Sequence, residues 1–114
     1  MEESESQLLR IYCVASDYSE NARLHEVIVD SARRAGLAGA SVQKAKMGFS
    51  AGHFYSDLLT EIEIEQQPLI VEIIDNPQRI ESFIPALHKL VQGRRLITLE
   101  PVEMLHYQAE EAKN

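Results

Sequence analysis

With 114 residues, 45% of them hydrophobic and 25% charged, the chain has the make-up of one ordinary globular domain with a single core; composition favours neither overall disorder nor a membrane span. The longest apolar runs, such as Leu69-Ile70-Val71, fall far short of the roughly 20 residues a spanning helix needs. A formal charge of -7 with no basic face argues against a nucleic-acid partner.

Met1 to Ser6 is acidic and polar, the reverse of a secretion signal, so a cytoplasmic location is expected. The lone Cys13 cannot form an internal disulfide and reads as a small buried hydrophobe. Residues 1–6 and 108–114 read as disordered tails around a domain over 7–107.

In chain order, Leu8 to Ala15 alternates as a strand with Leu9, Ile11, Cys13 and Ala15 on one face. Asp17 with Glu20 three residues on offers a capping box, which predicts a helix starting there. Its apolar stripe is Leu24, Val27, Ile28, Ala32 and Ala35, and Gly36 supplies the left-handed residue that closes it. Ala40 to Phe49 alternates as a second strand. Leu58 to Glu65 alternates as its hairpin partner, with Lys44 and Lys46 placed to meet Glu61 and Glu63.

Gln66-Gln67-Pro68 interrupts that strand, and Leu69 to Ile74 resumes it as an apolar run broken only by Glu72, a central strand. An odd acid there reads as a tuned group or, more commonly, as one paired to a cation across a subunit contact. Asp75-Asn76-Pro77 starts a second helix, because Asp or Asn caps and proline fits the first helical position. Ile80, Phe83, Ile84, Leu87, Leu90 and Val91 form its stripe, Pro85 predicts a mild kink and Gly93 a stop. Leu96 to Leu99 is a last strand, continued past Pro101, which demands an edge or a bulge.

The resulting order is the α+β, ferredoxin-like βαββαβ plan: a four-stranded antiparallel sheet with two helices on one face. The other face would carry Leu8, Tyr12, Val14 and Val42 bare, which predicts a homo-oligomer.

Gly39-Ala40-Ser41-Val42, Met47-Gly48-Phe49, Pro68 to Asp75 and Leu99-Glu100-Pro101-Val102-Glu103, with Phe83-Ile84-Pro85 between the last two, resemble the PII-like domain-of-unknown-function family 190. The resemblance implies a trimer similar to PII signalling proteins. It implies small effectors, often adenine nucleotides, bound in clefts between subunits, and a mobile loop, here Ser50 to Asp57, that engages a transporter or enzyme. It implies no catalysis. In place of the PII glycine-rich phosphate loop stands Gly93-Arg94-Arg95-Leu96.

The candidate effector-binding residues are Lys46, Gly48, Phe49, Ser50, Gly52, His53, Arg94 and Arg95. The stretch Gly48 to His53 combines two glycines, a hydroxyl and an imidazole that can meet an anion, although a plain hairpin loop explains the glycines equally well. Arg94 and Arg95 suit a phosphate or simply oppose a helix dipole. Lys46 adds charge to a cleft or pairs with a glutamate.

His25, His53, His88 and His106 are too scattered for a metal site. The alternative function, a small ferredoxin-like enzyme of the dimeric monooxygenase type, would need a cavity lined by His or Asn. The sequence shows no such cluster, and neither a nucleophile beside a base nor paired carboxylates.

Overall fold

The computed structural model describes residues 2–50, 53–56, 67–92 and 95–106. Strand β1 (Glu2–Val14) begins inside the stretch read from composition as a tail. Glu2 to Ser6 pair in unbroken antiparallel register with residues 102–106, so the ladder gives this polar backbone partners that its side chains did not advertise.

The chain then departs from the expected helix start. Two short strands, β2 (Tyr18–Ser19) and β3 (Ala22–Arg23), form a small hairpin around Glu20, whose φ of 56° is left-handed and cannot continue a right-handed helix. Helix α1 therefore runs over Leu24–Arg34, with Arg23 at its N-cap and no side-chain cap. The Asp17 backbone carbonyl accepts from Leu24 N–H at 2.8 Å instead. At the other end, Gly36 takes φ 77° as expected. Its N–H donates to Arg33 C=O at 3.0 Å and Leu37 N–H to Ala32 C=O at 3.1 Å, the paired bonds of a Schellman stop.

Strand β4 (Gly39–Lys44) ends earlier than the alternation suggested, and Met47 to Ser50 forms a separate strand β5 paired with β6 (His53–Ser56). His53 to Ser56, read as loop, is thus strand. The segment 58–65 lies outside the described residues, and the partner of β4 is β7 (Pro68–Asp75). Lys44 stands opposite Leu69, not a glutamate, because β7 supplies Leu69, Val71 and Ile73 to the core.

Helix α2 (Pro77–Leu90) follows as the sequence predicts. Asn76 accepts from Arg79 N–H at 2.8 Å, and Pro77 opens the first turn. The helix continues through Pro85 and ends at Leu90, before Gly93, which lies outside the described residues. Strand β8 (Leu96–His106) closes the fold, with Pro101 opposite Gln7 on an edge strand and no bulge in the register. The residues expected as a C-terminal tail, 108–114, lie outside the described residues.

The sheet order is β4-β7-β1-β8, all antiparallel. Leu9, Ile11 and Cys13 of β1 and Leu69, Val71 and Ile73 of β7 meet Leu24, Ile28 and Ala32 of α1 and Ile80, Phe83 and Leu87 of α2 in one core. Burying such side chains supplies about 1.5–3 kcal/mol each before entropy is counted. Asp75, buried at the end of β7, ties the layers together. Its carboxylate accepts from Ala38 N–H at 3.0 Å and Asn76 N–H at 2.6 Å, while Arg79 donates to Gly36 C=O at 2.7 Å. Those bonds fasten the exit of α1 to the entrance of α2.

The membership of the bare face differs from the sequence reading in two places. Val42 registers with core Val71, so it belongs to the helix side at an exposed edge, and Val14 is buried. Alternation leaves Leu8, Arg10 and Tyr12 of β1, Ile70, Glu72 and Ile74 of β7, and Leu96, Thr98, Glu100, Val102 and Met104 of β8 on the uncovered side.

Candidate effector site

The candidate residues fall into two groups. Gly48, Phe49 and Ser50 lie on β5, and His53 opens β6 directly opposite Ser50. The hairpin thus brings the expected glycine, hydroxyl-bearing and imidazole positions to one tip. Lys46 is exposed at the bend before β5. Gly52 and Arg94 lie outside the described residues.

Arg95 lies beyond α2, at the entrance to β8, and its neighbour is not a helix end. Its guanidinium donates to Asp17 Oδ1 at 2.6 Å, with the two side chains only 25% and 15% exposed. Asp17 was expected to cap a helix; here its other oxygen accepts from Val14 N–H at 2.8 Å. One carboxylate therefore folds the turn after β1 and holds an arginine at the start of β8. Next to it Arg23 donates to Ala15 C=O at 2.6 Å and stacks over the Tyr18 ring at 5.4 Å. Two guanidinium groups thus gather around the end of β1. Below them Cys13 is packed in the core, and burial, then the nearby Asp17 charge, push its thiol up to about 12.

A second constellation, on the bare sheet face, was not assembled by the sequence reading. Arg10 donates Nε–H to Glu72 Oε2 at 2.8 Å and its terminal nitrogen to Glu100 Oε1; Gln43 donates to the other Glu72 oxygen at 2.8 Å. The odd acid Glu72 thus finds a cation within its own chain. The row runs Gln43, Glu72, Arg10, Glu100, one residue from each strand of the sheet. Hydrogen bonding to Glu72, then to Glu100, raises the Arg10 guanidinium further above its already high value.

Among the described residues no three His, Cys, Asp or Glu side chains gather as a metal site, and no helix is long and apolar enough to cross a membrane.

The family model of DUF190, described as "Uncharacterized ACR, COG1993", matches residues 6–104. The chain belongs to this family. A UPF0166 protein of Aquifex aeolicus (strain VF5) is 30% identical over 101 residues, spanning 88% of this chain and 93% of its own. The UPF0166 protein MJ1524 of Methanocaldococcus jannaschii is 23% identical, over 82% of this chain and 86% of that one.

Among solved structures, CPII from Thiomonas intermedia K12, a nitrogen regulatory PII-like protein bound to ADP, AMP and bicarbonate, superposes with a TM-score of 0.62 at 13% identity. It covers 90% of this chain and 91% of its own. A PII-like signalling protein of Thermus thermophilus gives a TM-score of 0.59 at 15% identity, with 91% of each chain covered. This DUF190 chain therefore has the PII-like, ferredoxin-like fold that its sequence pattern predicts.

Proposed function

We propose that this protein is a PII-like regulatory subunit and not an enzyme: a homotrimer that takes a small effector, an adenine nucleotide, in the clefts between subunits. The occupied state is passed to a transporter or enzyme through the segment Ser50 to Asp57, acting as a mobile element. The observation that carries the reading is the half-apolar sheet face, over which no helix lies among the described residues. Leu8, Tyr12, Ile70 and Ile74 there are only half-buried in the single chain, and Leu96 is 53% exposed. Closed assembly would cover it and create clefts at the subunit edges.

We assign the β5–β6 hairpin and the Arg95–Asp17 pair to those edges, and the fixed guanidinium of the pair suits phosphate oxygens. The ADP and AMP bound by CPII, a protein of the same fold, support an adenine nucleotide as the first ligand to try. Calorimetric titration of the purified chain with ADP, AMP and bicarbonate, singly and together, tests this. The reading predicts saturable heat with an adenine nucleotide, weakened at least tenfold by Arg95→Gln; no heat with any of the three would remove it.

A further inference from the structure

Between the end of α1 and the first half of α2 the facing side chains are small. Ser31 and Ala35 on α1, and Ser82 and Ala86 on α2, each stand four residues apart, so each pair stacks on one face of its helix. Neither pair fills the space between the helices. What remains is an open groove of about 280 Å³, with Phe83, 4% exposed, at its base. From Arg79 to Ala86 it follows α2 for about 10 Å.

One end of the groove lies where α1 stops and α2 starts, and the acceptors there are already occupied. Ser31 C=O accepts from Ala35 N–H at 3.0 Å, Arg33 C=O from Gly36 N–H at 3.0 Å and Ala32 C=O from Leu37 N–H at 3.1 Å. Gly36 C=O takes Arg79 Nη1 at 2.7 Å, and the Asp75 carboxylate takes the amides of Ala38 and Asn76. Arg79 is different. Its contacts to Gly36 and, at 3.8 Å, to Asp75 both run through Nη1, its side chain is 57% exposed, and among the described residues no contact uses Nε or Nη2. The guanidinium is thus anchored by one nitrogen and keeps further N–H donors to offer, beside a first helical turn whose dipole also favours an anion. What that end of the groove lacks is an acceptor.

We propose that this groove is a binding site for a small carboxylate with an apolar body. The carboxylate sits on Arg79, and the body lies over Phe83 between the serine and alanine pairs of the two helices. An anionic acceptor matches the donors left at one end, and an apolar chain matches the groove beyond them. The volume stands near the lower limit of roughly 300 Å³ for small-molecule pockets, which selects a compact ligand over a nucleotide. The groove belongs to the helix layer, away from the bare sheet face, so this site stands whether or not the chain assembles as proposed above.

The test is titration of the full chain with octanoate below its micellar concentration, read by calorimetry and by amide chemical-shift mapping. Octanamide, which keeps the body and loses the charge, is the second probe. Saturable octanoate binding is expected, with shifts centred on residues 31–37 and 78–86, and octanamide should bind at least about tenfold more weakly. Ala86→Leu fills the groove from an exposed helix position and leaves every hydrogen bond named above in place, so it should abolish binding with an unchanged circular dichroism spectrum. Arg79→Gln should weaken octanoate at least about tenfold and leave octanamide nearly unchanged. No saturable binding, shifts centred on the bare sheet face, equal affinity for octanamide, or wild-type affinity in folded Ala86→Leu would each overturn the site.

Discussion

Removing the Asp17 carboxylate is the perturbation whose cost can be worked most fully from the structure. Asp17→Ala deletes two accepted bonds, from Val14 N–H and from Arg95. The amide bond is worth about 1 kcal/mol, and the charge-assisted bond in a pair this poorly exposed about 1–2 kcal/mol. The sum, about 2–3 kcal/mol, lowers Tm by roughly 8–12 °C in a domain of this size. Asp17→Asn keeps an acceptor for Val14 and should lose only about half as much.

The pair is separated from the turn by a double-mutant cycle with Arg95→Gln, read by urea unfolding. A coupling of about 1 kcal/mol or more is expected, since each single variant strands the other partner. Additivity within about 0.5 kcal/mol would refute the claim that Asp17 holds Arg95. The same variants separate positioning from folding. If the proposed nucleotide site uses Arg95, Asp17→Asn weakens binding at temperatures where the variant remains fully folded, because the guanidinium is no longer fixed.

Ile11→Ala opens a cavity at a fully buried position and should cost about 2–5 kcal/mol, read as a lowered urea midpoint with unchanged slope. Gly36→Ala should cost about 1–2 kcal/mol from its φ of 77° alone, because the added Cβ meets nothing closer than Arg79 Nη1 at 3.8 Å. The Cys13 thiol sits at about 12 in the fold against an ordinary 9.0, so the unfolded chain gives up this proton first. Its contribution to stability is complete below pH 9 and falls by up to ~1.4 kcal/mol per pH unit above it. Cys13→Ala should lose that alkaline slope, and the native thiol should react slowly with a disulfide reagent at pH 8.

The core was legible because period-2 and period-3.6 spacing survive in the sequence. Leu9, Ile11 and Cys13, and Ile80, Phe83 and Leu87, face inward as their spacing requires. Local chemistry also marked the start of α2 at Asn76-Pro77 and the stop of α1 at Gly36. The start of α1 was misread because a capping box is a local signal, and Glu20 in a left-handed turn overrides it. The ladders of Glu2 to Ser6 and of β4 with β7 were hidden because register is a tertiary property: polar residues join a strand when a partner backbone is at hand.

Site residues followed the same division. The cluster Gly48 to His53 could be named from its composition. The lone Glu72 in an apolar strand was visible, but that it meets Arg10, and Arg10 meets Glu100, depends on three-strand register, and the capture of Arg95 by Asp17 likewise joins residues far apart in the chain.

A regulatory role of this kind requires the bare face of the sheet to be covered by sister copies. Sedimentation equilibrium of the purified chain at micromolar concentration and pH 6 measures that directly. Three times the mass of the 12.9 kDa chain is the expected result; a single-chain mass across the accessible concentrations would contradict it.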